Sequence, residues 1–481
     1  MIKRVLAKGY HFGDSLRWSR SIAQEGVPNL HLYCVGSSGS GKTRLLFHLI
    51  SQDIDHALKN PGHQSVVLID PHGDLFKSVL NYIARRPDYK SLNDNIIIID
   101  PVAQRRGAIG LNILETLPGI HPYEVTDEVV SCFHSIWKAS WGDRMADILR
   151  HSCLLLQEHN LTLAQMPRLL TDREFRRVLV ERSENQDIKL FWKHHFDEFR
   201  DSEQRYFVES TRNKISAFIS NPYIKPILCQ QKSTVNFYDA LNAGSIVLVN
   251  LSRSHLKTES RRLFGVLLFS KIHQSIIARD DLPEKRRTPT SIYIDEASEI
   301  YHADFFLSLL EGGRKYKAAM NLFHQSLSQL EPDDVDIILN NCATLVCFSV
   351  GRLDAERMAK ETFSFSGKEI KYQDGDLLLG KKGKPTFYTV QEEMENSIKE
   401  LMTQRVGECF IRMKNKDSAP YIATTIKVEY PETSIELEEK LREASAKKYN
   451  RPLETIFKDI ENMENRVMAL NKIEEPETYR E

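Results

Sequence analysis

The segment VGSSGSGKT, Val35 to Thr43, constrains this chain more than any other. It follows the apolar run LHLYC and precedes apolar residues at helical spacing through Ile50. Gly36, Gly41, Lys42 and Thr43 complete the pattern G-x-x-x-x-G-K-[ST], with Gly39 inside it. Glycines at such a turn let backbone N–H groups curl around a phosphate chain that side chains would block. In this pattern the lysine neutralises the β and γ phosphates and the threonine hydroxyl ligates Mg²⁺. The following helix adds its N-terminal dipole. A merely flexible Gly/Ser turn leaves the strand before it and the helix after it unexplained. Gly36, Ser37, Ser38, Gly39, Ser40, Gly41, Lys42, Thr43 and Arg44 are therefore expected to hold ATP with Mg²⁺.

The same strand–turn–helix rhythm continues. SVVLIDPHGD (from Ser65), NIIIIDP (from Asn95), SIVLVNLS (from Ser245), SIYIDEA (from Ser291), AAMNLFHQ (from Ala318) and ATLVCFSVG (from Ala343) read as strands. Continuous β-branched runs of this kind suit a parallel sheet covered on both faces. Between Tyr123 and Gln231 the character changes to aromatic and charged with helical periodicity, and no strand is expected there. From Glu432 the sequence is charged, helical and poor in strand formers. The expected fold is α/β: a P-loop NTPase domain of RecA-like type with a mainly parallel sheet, in two parts, 1–122 and 232–431. An all-α domain at 123–231 interrupts it, and a helical tail occupies 432–481.

A second set of residues is needed to turn phosphate binding into chemistry. SIYIDEA delivers Asp295 and Glu296 to a strand end. Asp295 is placed to hold Mg²⁺ and Glu296 to polarise the attacking water. The plainer alternative is an acidic turn in which Asp295 caps the next helix. Gln325 ends the next strand and reads either as a γ-phosphate sensor or as a surface amide. Arg314, between those two strands, reads either as an arginine finger for a neighbouring subunit's nucleotide or as part of a solvated basic turn. Asp70, His72 and Asp74 either join the site or cap a turn beside Pro71 and Gly73.

Composition narrows the classes further. The 481 residues carry a formal net charge of -1, which excludes a broad basic arm but not a local basic channel. Basic clusters occur at Ser252–Arg262, Arg212–Phe218 and Gly380–Lys384. They are either phosphate-binding surface or solvated loops. Seven cysteines without a CxxC pair suggest buried reduced thiols of a cytosolic protein rather than a zinc site. There is no signal-peptide pattern and no run of about eighteen or more apolar residues.

The order of these motifs resembles the FtsK–HerA superfamily of DNA-pumping ATPases, and most closely the TraG/TraD-like coupling proteins of type IV secretion. The resemblance runs from about Tyr10 to about Gly351. Beyond the phosphate loop it rests on VVLIDPHGDL, IIIIDP followed by GLNIL, SWGDRMADILR, STRNKISAFISNP, LNAGSIVLVNLS, IYIDEASEI, EGGRKYKAAMNLFHQSLSQL and NNCATLVCFSVGRLDAERMA. The string from Asp295 to Gln329 is its most specific part. The resemblance implies nucleotide and metal roles for Lys42 and Thr43 and an acidic-motif role for Asp295 and Glu296. It implies a sensor role for Gln325 and a trans-acting role for Arg314. It also implies a homo-hexameric ring on DNA, partners such as a relaxase or secretion-machinery proteins, and a helical insert at about 123–231. Membrane-bound coupling proteins carry transmembrane helices before the phosphate loop, whereas here that stretch is short and polar. The expectation is a cytoplasmic protein that meets the inner membrane only through partners.

Two functions from different classes follow. One is an ATP-driven DNA-translocating motor. The other is an ATP-switched assembly or recruitment module that docks a substrate protein and hydrolyses slowly. A small-molecule kinase fits less well, because the acid pair, Arg314 and Gln325 suit hydrolysis better than a hydroxyl acceptor.

Overall fold

The computed structural model describes residues 11–15, 21–23, 31–86, 95–103, 107–197, 201–252, 256–301, 304–376, 381–414, 421–424 and 430–472. The chain divides into two compact units, each assembled from separated segments.

The first unit comprises Met1–His56, Pro289–Ser298 and Leu310–Pro431. Its sheet runs in the order Ser21–Ala23, His11–Ser15, Tyr421–Thr424, Glu408–Met413, Thr344–Cys347, Leu32–Val35, Ala318–His324, Thr290–Ile294. The last four strands are parallel to one another. The others pair antiparallel. The four parallel strands are buried along their whole length, as their uninterrupted apolar sequences require. The Lys42–Lys59 helix follows the strand at Leu32–Val35. The Tyr293 hydroxyl donates to Asp53 of that helix at 2.7 Å, which fixes the helix over the sheet.

The second unit comprises Ala57–Thr288, Glu299–Leu309 and Glu432–Glu481. Three parallel strands, Ser65–Asp70, Ile246–Asn250 and Ile96–Ile99, lie in that order. From Pro122 to Asn242 the described elements are all helices. The Thr258–Ile277 helix is buried on nearly every side, which explains why its sequence lacks a polar stripe.

The tail is structured, as its helical sequence predicts. It forms helices at Ile435–Tyr449 and Leu453–Lys472. Ile456, Ile460, Met463 and Val467 recur at helical spacing and are buried. Glu464 pairs with Arg168 at 3.0 Å. One detail departs from the sequence reading. Asn450–Pro452 forms a short strand, antiparallel to Gly107–Ile109, despite its poor strand propensity. Backbone pairing holds that segment, joined by side-chain bonds from Asn450 to Gly107 O at 3.4 Å and from Arg451 to Asp459 at 2.6 Å.

The seven expected apolar strands are all present, and the fold is the mainly parallel α/β fold expected of a P-loop NTPase. Among the described residues no helix is long and apolar enough to cross a membrane.

Candidate nucleotide site

The phosphate loop leaves the buried Leu32–Val35 strand and is tied down by its neighbours. Gly36 N donates to His324 O at 3.2 Å, and Ser37 N to Ser349 O at 2.7 Å. His324 ends one flanking strand, and Ser349 follows the other. A Cβ on Gly36 would stand 2.5 Å from Phe348 Cβ and 2.9 Å from Ser40 Oγ, so only glycine fits. Gly39 and Gly41 take left-handed φ angles of 75° and 119°. The loop is clasped from a third side, where Gly407 N donates to Ser40 O at 2.8 Å.

Lys42 is buried and starts the following helix. Its Nζ folds back onto the loop, donating to Gly36 O at 2.5 Å and Ser37 O at 3.0 Å. Ser40 Oγ is buried and has no hydrogen-bond partner among the described residues. Ser37, Ser38, Gly39 and Arg44 are exposed, and Thr43 is half-buried. The Arg44 guanidinium lies 6.0 Å from the Tyr430 ring, which packs on Phe47 at 5.0 Å. A glycine-lined cradle, an orphaned hydroxyl, one ammonium and a helix N-terminus together fit a phosphate chain.

The acidic pair follows the Thr290–Ile294 strand, and both residues are buried. They enter a 3₁₀ turn at Ala297–Glu299, and the next α-helix starts only at Asp304. Glu296 has φ of 55°, a left-handed conformation that disfavours any residue with a Cβ by about 1–2 kcal/mol. The Ser298 hydroxyl donates to Glu296 Oε1 at 3.0 Å and orients its carboxylate. The buried Cys34 thiol reports on the surroundings. Burial pushes its pKa up, the Lys42 ammonium pulls it down, and the Asp295 carboxylate raises it again. Lys42 and Asp295 thus act electrostatically on one buried atom.

Strand order brings these groups together. The Ala318–His324 strand lies between the strands at Leu32–Val35 and Thr290–Ile294. Val35 pairs with His324, and Ile294 with Leu322. The phosphate loop, the half-buried Gln325 and the Asp295–Glu296 turn therefore leave the same ends of three adjacent parallel strands. Arg314 does not join them. It is exposed in the 3₁₀ turn Gly313–Tyr316, before the opposite end of the Ala318–His324 strand. Seven residues of strand at about 3.3 Å each put roughly 23 Å between the two ends.

Other sequence candidates find local partners. Asp70 accepts from His72 N and Phe76 N, both at 2.8 Å, so it caps its own turn. Arg261 and Arg262 of the Ser252–Arg262 cluster both pair with Glu299. Lys214 donates to Ser210 and to Ser140 O. Arg253–His255, Gly380 and the side chains of Lys381–Lys384 lie outside the described residues. All seven cysteines are buried thiols. Among the described residues no group of three or more His, Cys, Asp or Glu could hold a metal. Sequence reasoning missed Phe348, Ser349, Gly407 and Ser298. The first three touch the loop through backbone or plain bulk, which no motif records. Ser298 carried a signal, as a hydroxyl two residues after the acid pair.

No protein-family model matches the chain, and no curated protein matches it by sequence. Solved structures do match in fold. The unbound bacterial conjugative coupling protein TrwBΔN70 superposes with a TM-score of 0.57 at 16% identity, over 88% of this chain and 90% of that one. Plasmid coupling protein TrwB in complex with a non-hydrolysable GTP analogue gives 0.53 at 17% identity, over 89% and 98%. VirB4 of Thermoanaerobacter pseudethanolicus gives 0.55 at 12% identity, over 89% and 98%. Across nearly its whole length, the chain has the fold of the conjugative coupling protein TrwB and of VirB4.

Proposed function

We propose that this chain is an ATP hydrolase that translocates DNA, working as a homo-hexameric ring around it. The observation that carries the reading is the convergence of the phosphate loop, Gln325 and the Asp295–Glu296 turn at one set of strand ends. In this reading Gly36–Arg44 bind the triphosphate, and Lys42 leaves its loop carbonyls to meet the β and γ phosphates. Thr43 and Asp295 would hold Mg²⁺, which supplies positive charge to the phosphates. Glu296 takes the proton of the water that attacks the γ-phosphorus, ADP leaves, and Gln325 senses the γ-phosphate. TrwB has been solved with ADP and Mg²⁺ and with a non-hydrolysable ATP analogue, which supports the choice of ligand.

Arg314 is exposed and a strand's length from its own loop, which favours service to a neighbouring subunit. The helical residues 123–231 form the insert of the motor domain and, with the tail, meet a relaxase or secretion-machinery proteins. The protein works in the cytoplasm and reaches the inner membrane through such partners. The test is ATP turnover with and without single- and double-stranded DNA, together with particle mass. Stimulation by DNA and a sixfold mass with ATP are expected. A monomeric mass with ATP and DNA would sink the ring. Turnover indifferent to DNA, with nucleotide-dependent capture of a protein, would favour the recruitment module.

A further inference from the structure

We propose that Tyr430 is a stacking platform for the nucleobase: its ring, backed by Phe47 and flanked by Arg44, takes the flat face of the base whose phosphates lie in the Gly36–Thr43 loop. The inference rests on the reading of that loop as a nucleoside triphosphate site.

Glycines, one ammonium and a helix N-terminus answer to phosphate charge, and none of them offers a surface to a base. Such a surface lies beside them. The Lys42–Lys59 helix starts at the loop. Phe47 stands three residues after Arg44 and four after Thr43, so the three share one helix face. It lies about 7.5 Å along the axis from Lys42, a gap of the order that an α-phosphate and a ribose bridge.

The Tyr430 ring packs on Phe47 with centroids 5.0 Å apart and planes inclined at 51°. Phe47 is fully buried, whereas Tyr430 keeps 40% of its surface exposed. The ring is thus held from within and still presents surface to a ligand. The exposed Arg44 guanidinium lies 6.0 Å from the same ring. Guanidinium planes also stack on aromatic faces, so the arginine can cover a base that the tyrosine supports.

The charges of the site reach this ring. Burial raises the pKa of the Tyr430 phenol, the Arg44 guanidinium lowers it, and the Asp295 carboxylate raises it again. Tyr430 therefore stands in the field of both the residue that follows the loop and the acid assigned to Mg²⁺. A lone exposed tyrosine is ordinary. This one differs in its place: Thr43, Arg44, Phe47, Asp295 and Tyr430 all belong to one compact unit, and Tyr430 comes from the end of that unit's sequence. Stacking is indifferent to hydrogen-bond pattern, because every base has a π-face. The platform adds affinity for a nucleotide without choosing between adenine and guanine.

The test uses the full chain, titrated by calorimetry in Mg²⁺. The probes are non-hydrolysable ATP and GTP analogues and tripolyphosphate, which has the phosphates and no base. Tyr430→Leu keeps apolar bulk over Phe47 and removes the π-face. It should weaken both analogues about 5- to 50-fold, by amounts within about threefold of each other, and leave tripolyphosphate within about twofold. Tyr430→Phe keeps the ring and should stay within about threefold of the parent for all three probes. Parental analogue affinity in folded Tyr430→Leu overturns the inference. An equal loss for tripolyphosphate also overturns it, because the ring would then support the loop and not the base. A loss for one analogue alone overturns it too, because the contact would then be a hydrogen bond and not a stack. If Tyr430→Leu does not fold, photolabelling of the parent with 8-azido-ATP decides. Label on the peptide that holds Tyr430 is expected, and no label there overturns the inference. Lys42→Ala separates the two readings and should lose all three probes alike. Retained binding of all three would overturn the phosphate-loop reading and the inference with it. Loss in Lys42→Ala with none in Tyr430→Leu overturns the inference alone.

Discussion

Two strand ends with nearly the same sequence have come to opposite arrangements. SVVLID ends at Asp70 and SIYID at Asp295, each apolar, buried and followed by a sharp turn. At Asp70 both carboxylate oxygens accept backbone N–H groups of the turn and of the Asp74–Ala84 helix. The left-handed position there is Gly73, with φ of 88°. At the other strand end the left-handed position is Glu296. A glycine at Glu296 would relieve the strain, and the chain keeps a carboxylate instead. A left-handed turn on glycine is free of strain and serves stability, whereas the same backbone on a buried acid keeps a strained residue for its side chain. Asp100, after Ile96–Ile99, is a third case. It accepts from Asn250 at 3.0 Å and pairs with Arg442 at 2.8 Å, so its charge is met structurally.

The largest effect would show whether the acid turn works alone. Arg314→Ala should lose about 10³-fold or more in turnover, as arginine fingers do in related chemistry. Lys42→Ala should be equally inactive, yet mixing the two should restore part of the activity if Arg314 serves a neighbour. Subunit exchange, shown by two tags copurifying, without rescue would break the trans assignment. Next, Glu296→Gln should retain ATP binding and lose about 10²-fold in turnover, in line with general-base catalysis. If turnover persists, the contrast between the two strand ends carries no catalytic meaning. Asp70→Asn should leave turnover within about threefold and lower stability by about 1–3 kcal/mol, since buried N–H groups lose a charged acceptor. Denaturant unfolding would read it. The smallest effect is the sharpest: Glu296→Gly should raise stability by about 1 kcal/mol while abolishing turnover. A lower melting temperature would refute the claim that Glu296 is strained.

Much of this was legible in the sequence because apolar runs and glycine patterns are local. The seven strands announce themselves by β-branched content, and the phosphate loop by its spacing. The strands at His11–Ser15, Ile370–Asp376 and Lys381–Phe387 were not legible. Their sequences are polar, and only pairing with another segment makes them strands. The strand at Glu408–Met413 is likewise chosen by its partners on either side, Thr344–Cys347 and Tyr421–Thr424. In the site, Gly36, Gly41 and Lys42 were readable, but the bulk of Phe348 beneath Gly36 was not. The left-handed backbone at Glu296 has no local signature. DEA followed by SE is an ordinary acidic string until a buried arginine arrives from Thr258–Ile277 to hold its last member.

The tail helix at Ile435–Tyr449 has a consequence for how the chain matures. Ile96–Ile99 is the outer strand of its three-stranded group, and Ser445 Oγ accepts its Ile98 N–H at 3.0 Å across a separation of 347 residues. At roughly 5–20 residues per second, a ribosome needs roughly 20–70 s to deliver that partner. Until then four consecutive isoleucines present an open edge, the kind of segment that recruits other strands. The nascent protein passes through a long interval in which its own later sequence is not yet there to cover that edge. A tail truncated before Ile435 would make the interval permanent, and its expected fate is aggregation during expression rather than a folded enzyme lacking a docking surface.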